Sequence, residues 1–217
     1  MESNNQFFYV FLNIKGALYT ADWVKFIQAS CMEMDDSSYS TTVKKLITKH
    51  PEWNKYYKNG SYLKQKHIRK ICPYNVMALN RLLDDLKLDY NVNLVITSHK
   101  WKDSFDLKTI PSLVKNGLNY SNLIIDKTSS RIEDVADGIL DYLTHVGNPN
   151  NYLIIDYQDS VLRKFEDYKT IKVDQYELGL EASTVDNYLD NIADLCEENN
   201  YETLTILQEK ELQQNNI

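Results

Sequence analysis

Phe7-Phe8-Tyr9-Val10-Phe11-Leu12-Asn13-Ile14-Lys15-Gly16-Ala17-Leu18 is the stretch that decides the fold. Six apolar or aromatic residues run without a polar break, the pattern of a central parallel strand covered on both faces. Gly16 then permits a sharp turn, so the strand is expected to end in a tight loop carrying Asn13 and Lys15. In sheets of this kind ligands gather beyond the carboxyl ends of the strands, which is where these two side chains would sit.

Working outward, the same alternation recurs. Pro73 to Leu83 carries apolar residues at helical spacing, and the β-branched run Asn91 to Ser98 follows it. A third strand is predicted at Asn122 to Asp126. Ser129-Ser130-Arg131-Ile132-Glu133-Asp134 reads as a capped helix start with acids in its first turn, the helix running to about His145. Gly147-Asn148-Pro149 breaks it, and Asn151 to Asp159 reads as a buried strand with acids at its carboxyl end. Tyr168 to Val173 is a short fifth strand, and Ser183 opens a last helix through about Cys196. Alternating strands and helices predict an α/β three-layer sandwich of Rossmann type, with a mainly parallel five-stranded sheet. Asn13, Thr97, Ser98 and Asp156 all fall on its carboxyl-end crevice.

At these residues the chain resembles the haloacid dehalogenase (HAD) superfamily of phosphohydrolases. That family's first motif is a hydrophobic strand followed by Asp-x-Asp-Gly-x-Leu. The resemblance implies that the first Asp would attack phosphorus and bind magnesium, and that the second would act as acid and base. Here those positions are Asn13 and Lys15. A carboxamide has no anionic oxygen with which to form an acyl phosphate, and an ammonium is a poor base at neutral pH. Thr97 and Ser98 match the family's phosphate-holding hydroxyl, and Arg131 matches its phosphoryl-contacting cation. Asp156 matches one half of the paired aspartates that hold magnesium, with Tyr157 in place of the other and a further acid at Asp159. The chain looks most similar to the HAD domain of Swiss-army-knife RNA repair proteins. In that subgroup a similar strand closes in Ser-x-Trp-Arg after a helix resembling residues 74 to 86; here His99-Lys100 lengthens the spacer before Trp101-Lys102. Residues 180 to 195 resemble the subgroup's closing helix. Residues 1–18 and 73–200 would then form the core, 19–72 a cap insertion, and 201–217 a C-terminal helix and tail.

The chain has 217 residues, 43% of them hydrophobic, enough for one good core. No apolar run is long enough to span a bilayer, and the expectation is a soluble, cytoplasmic protein with no membrane contact. Cys31, Cys72 and Cys196 are widely spaced and lack zinc-ligand patterns, so they read as reduced thiols. The net charge of −7 conceals a polarity. Between Thr41 and Pro73 stand nine basic residues against one acid, Glu52, a net of +8 that leaves the remainder at −15. The basic residues are Lys44, Lys45, Lys49, Lys55, Lys58, Lys64, Lys66, Arg69 and Lys70, interleaved with aromatics including Trp53, Tyr56 and Tyr57. This combination suits contact with a nucleic acid or an acidic protein, and equally an internal grip on the acidic core.

Lys15 at a strand end facing Asp156 predicts an ion pair in which the ammonium stands in for magnesium. The leading reading is a catalytically inactive HAD-like pseudophosphatase that binds a nucleic acid, a phosphorylated ligand or an acidic protein and needs no cofactor. One alternative is an active phosphohydrolase or nucleotide-processing enzyme with magnesium and a displaced acid such as Asp159 or Asp22, or His99. Another is an interaction module, an inhibitor from a virus or mobile element whose acidic body imitates nucleic acid.

Overall fold

The computed structural model describes residues 6–31, 37–54, 71–97 and 105–192. Strand β1 (Phe7–Leu12) leads through a kinked turn into helices α1 (Ala21–Cys31) and α2 (Ser37–Lys49) and a short 3-10 turn at Pro51–Trp53. Helix α3 (Pro73–Leu86) then feeds β2 (Asn91–Ile96), and α4 (Ile110–Lys115) precedes β3 (Ile124–Lys127). Helix α5 (Val135–His145), β4 (Tyr152–Asp156), the single turn α6 (Asp159–Leu162) and β5 (Thr170–Lys172) complete the sheet. The described part of a last helix, α7, covers residues 182–192.

All five strands are parallel, in the order β3-β2-β1-β4-β5. Side chains alternate across a strand, so β1 supplies both cores. Phe8, Val10 and Leu12 face one cluster, with Val76, Leu79 and Leu83 of α3, Leu113 of α4, and Val185 and Tyr188 of α7. Tyr9 and Phe11 face the other, with Ala136, Ile139 and Leu143 of α5 and Val161 and Leu162 of α6. The result is the expected three-layer, Rossmann-like sandwich. Because the chain winds from β1 toward β3 on one side and returns to β4 on the other, the winding reverses between β1 and β4. Ligand crevices open at that reversal.

The insertion between β1 and α3 has its own small core of Trp23, Phe26, Val43, Leu46, Trp53 and Cys72. Trp23 meets Trp53 edge to face at 5.1 Å and stacks on Phe26 at 5.5 Å. Among the described residues no helix is long and apolar enough to cross a membrane.

Several strands are shorter than expected, β4 ending at Asp156 and β5 starting at Thr170, and two boundaries shift for a clear local reason. Asn122 adopts a left-handed conformation (φ 55°) in a turn where the Leu123 amide reaches the Tyr120 carbonyl, so β3 starts at Ile124. Ser129 does not cap a helix. Its hydroxyl accepts from the Arg131 amide in a local turn, while the Asp134 carboxylate accepts from the Asp137 amide at 2.9 Å and caps α5.

Phe11 is fully buried, whereas Met77, on the outer face of α3, is 59% exposed. Phe11→Ala is expected to cost about 3–5 kcal/mol of unfolding free energy and Met77→Ala less than about 0.5. Denaturant midpoints at unchanged m-value check this; equal effects would contradict the layer assignment.

Candidate functional site: the crevice between the first and fourth strands

Strand register builds the site. Leu12 lies level with Ile96 on one side and Ile155 on the other, so the next residues, Asn13, Thr97 and Asp156, emerge together at the carboxyl edge. The Asn13 amide donates to the Ile155 carbonyl and the Thr97 amide to the Leu12 carbonyl, both at 3.0 Å, which holds the three in line.

Asp156 is wholly buried. Its Oδ2 accepts from Asn13 Nδ2 at 2.9 Å, and its Oδ1 accepts from the backbone amides of Tyr157 (2.7 Å) and Gln158 (2.9 Å). A buried carboxylate without such donors would be very costly, and these three account for its tolerance in the core. Burial still dominates and pushes the Asp156 carboxyl above the usual range, against the opposing pull of Asn13 and the two amides.

Lys15 does not supply the expected ion pair to Asp156. Its backbone is extended (φ −68°, ψ 124°) and Gly16 follows at φ 91°, so the turn carries the Lys15 side chain outward, where it is exposed. Its Nζ lies 5.5 Å from the centre of the Tyr157 ring. Burying an ammonium beside Asp156 would have required desolvating both charges, whereas a neutral amide makes the contact without that cost. Tyr157 packs directly on the turn: a Cβ at Gly16 would meet its Cδ1 at 2.6 Å. The glycine is therefore required both by its φ and by the ring against it.

Thr97 is 1% exposed, and among the described residues its Oγ1 has no hydrogen-bond partner. A buried, unsatisfied hydroxyl at a crevice edge is the kind of group a ligand oxygen would complete. Arg131 lies in the exposed turn ahead of α5 rather than in the first turn of the helix. Ser98, His99, Trp101 and Lys102 lie outside the described residues.

The donors at Asp156 do not fit magnesium. The ion needs several hard oxygen ligands in an octahedron, usually with one or two carboxylates. Here a single carboxylate already accepts three hydrogen bonds, and among the described residues no group of three or more His, Cys, Asp or Glu is arranged to hold a metal.

The other candidate acids are engaged elsewhere. Asp159 is exposed and pairs with Lys172 at 2.8 Å, which holds its carboxyl below the usual range. Asp22 sits in the first turn of α1. Burial pushes its carboxyl up, but Lys49 at 2.9 Å, Lys25 at 3.5 Å and His50 outweigh burial and hold it low. A general acid at neutral pH needs the opposite shift.

Of the expected cap surface, Lys44 and Lys45 are exposed on the outer side of α2. Trp53 faces inward instead, buried in the insertion's apolar cluster and stacked on the His50 ring at 3.9 Å. Lys49, though exposed, bridges Asp22 and Glu177. Lys55, Tyr56, Tyr57, Lys58, Lys64, Lys66, Arg69 and Lys70 lie outside the described residues. A cavity of about 580 Å³ opens between β5 and α7, lined by residues including Tyr168, Lys172 and Tyr188, but the buried polar groups of the crevice are not among them.

Compared with protein-family models, with curated proteins and with solved structures, the chain matches none.

The raised Asp156 carboxyl has a sign that can be measured. The folded chain keeps that proton over a range where the unfolded chain has released it, so this group's contribution to stability falls as pH rises from the ordinary aspartate range through the raised value. Asp156→Asn removes the slope, and Asn13 can turn its amide over to serve the new partner. The variant's unfolding midpoint is expected to gain on the native one as pH rises from about 4. Parallel pH curves would contradict the assignment.

Proposed function

We propose that the chain is a HAD-like pseudophosphatase, a binding protein whose crevice takes a phosphorylated ligand without turning it over. The observation that carries this reading is the hydrogen bond from Asn13 to Asp156. It places a neutral amide where the resemblance expects the nucleophile, and it uses the carboxylate that the resemblance expects on magnesium. Lys15 stands at the second motif position with its side chain exposed, so no acid or base faces the crevice from there.

Binding is supported by what is left over. The unsatisfied Thr97 hydroxyl is buried beside Asn13, and a phosphoryl oxygen accepting from it would satisfy both partners. Outside the crevice, Lys44 and Lys45 give the insertion a basic outer face suited to an anionic partner, a nucleic acid or an acidic protein surface. The engagement of Asp22 and Asp159 with lysines weighs against the active-enzyme alternative.

Calorimetric titration of the native protein with magnesium is expected to give no binding heat, and generic phosphoesters with added magnesium no turnover. Phosphorylated ligands that bind should lose about tenfold or more in affinity on Thr97→Val, the effect of one hydrogen bond to a charged group. Phosphate release by the native chain, with Asn13 and Lys15 in place, would replace this reading with the enzyme.

A further inference from the structure

Residues 174–180, between β5 and α7, make a series of polar contacts with the insertion and its junctions. The Ala21 and Asp22 amides, at the start of α1, donate to the carbonyls of Gln175 (3.1 Å) and Tyr176 (2.8 Å). These are amides that a helix cannot satisfy by itself. The Leu180 amide donates to the Ala17 carbonyl at 2.8 Å, on the turn that follows the crevice. Asn75, buried in the first turns of α3, donates its side-chain amide to the carbonyls of Leu178 (2.6 Å) and Leu180 (2.8 Å). Thus one short segment touches the chain where it enters the insertion and where it leaves. The two junctions are also tied to each other, the Cys72 amide donating to the Leu18 carbonyl at 2.8 Å.

The segment is shaped for this role. Asp174 holds it in a closed turn, its Oδ1 accepting from the Tyr176 amide at 2.7 Å and its carbonyl from the Gly179 amide at 2.8 Å. Gly179 has φ 71°, and a Cβ there would lie 2.6 Å from the Ala17 carbonyl oxygen and 2.7 Å from Asn75 Nδ2. No other residue fits that position without displacing backbone. An ion pair completes the contact: Lys49, at the end of α2, reaches Glu177 at 2.7 Å and Asp22 at 2.9 Å. The insertion's apolar core is separate from the two cores of the sandwich, so apolar packing alone does not fuse the two bodies.

We infer that residues 174–180 are a lock that fixes the insertion to the core, and that release of this strap, not bending within the helices, is what frees the insertion. The insertion is then held as a fixed platform in the resting protein. This goes beyond the binding role proposed above and does not depend on the crevice being inactive.

Hydrogen exchange followed by mass spectrometry on the full chain tests it. In the native protein the amides of α1 and α2 should be protected. Lys49→Met and Glu177→Gln should each speed exchange in α1, α2 and the strap by roughly threefold to tenfold while β1 and β2 stay unchanged; Gly179→Ala should do so more strongly. Arg81→Met, which breaks the 2.8 Å pair with Asp186 between α3 and α7, is the control and should leave α1 and α2 as they were. If Gly179→Ala does not fold, the two milder variants decide. The inference is overturned if α1 and α2 exchange freely in the native chain, if Lys49→Met and Glu177→Gln leave them unchanged, or if every variant, the control included, loosens the sheet equally.

Discussion

A buried carboxylate must be given hydrogen-bond donors, and the way Asp156 receives them organises the centre of this molecule. It stands at the end of β4, beside the strand that both cores share, with its oxygens taken up by Asn13 and two backbone amides. Two of the donors come from the chain that follows Asp156 itself. The third comes across the reversal between β1 and β4, from the residue after Leu12, which stands level with it. A neutral amide at position 13 satisfies the carboxylate without bringing a second charge into the interior. A carboxylate at the same place would face Asp156 as a like charge and would call for a cation between them.

The surroundings follow from that choice. Beyond Asn13, Lys15 points away from the interior, Gly16 turns the chain, and the Tyr157 ring packs on the turn. Among the described residues, Thr97 keeps an unanswered buried hydroxyl. The insertion that leaves from this turn divides its charges in a similar way. Lys49 is paired with Asp22 and Glu177, while Lys44 and Lys45 remain on the outer side. On one helix, then, one lysine pairs within the molecule while two others stay exposed.

The sandwich was legible because its signal is long-range and repetitive: unbroken apolar strands separated by helices at regular spacing can close only as a layered parallel sheet. Asn13, Thr97 and Asp156 were legible for the same reason, since each directly follows or ends such a strand. Where Lys15 points was not, because two residues past a strand the direction of a side chain depends on dihedral angles that only the Gly16 turn fixes. Trp53 was misleading as a surface residue, because an aromatic among lysines reads alike whether it stacks on a partner or fills a small satellite core. The strap at 174–180 was missed altogether. Its contacts are mostly backbone carbonyls and amides, which leave no trace in residue identity. The traces that do exist, Asp174 and Gly179 five residues apart and a polar Asn75 on an apolar helix face, become readable only once the three segments are known to meet.

The most direct measurement is an X-ray structure of the native protein crystallised or soaked with magnesium and a fluoride mimic of the phosphoryl group. This account predicts that the amide of residue 13 still rests on the carboxylate of residue 156, with any bound anion held from the Thr97 side and no metal between the strands. An octahedrally coordinated ion seated on Asp156, with Asn13 swung aside or serving as its ligand, would contradict it.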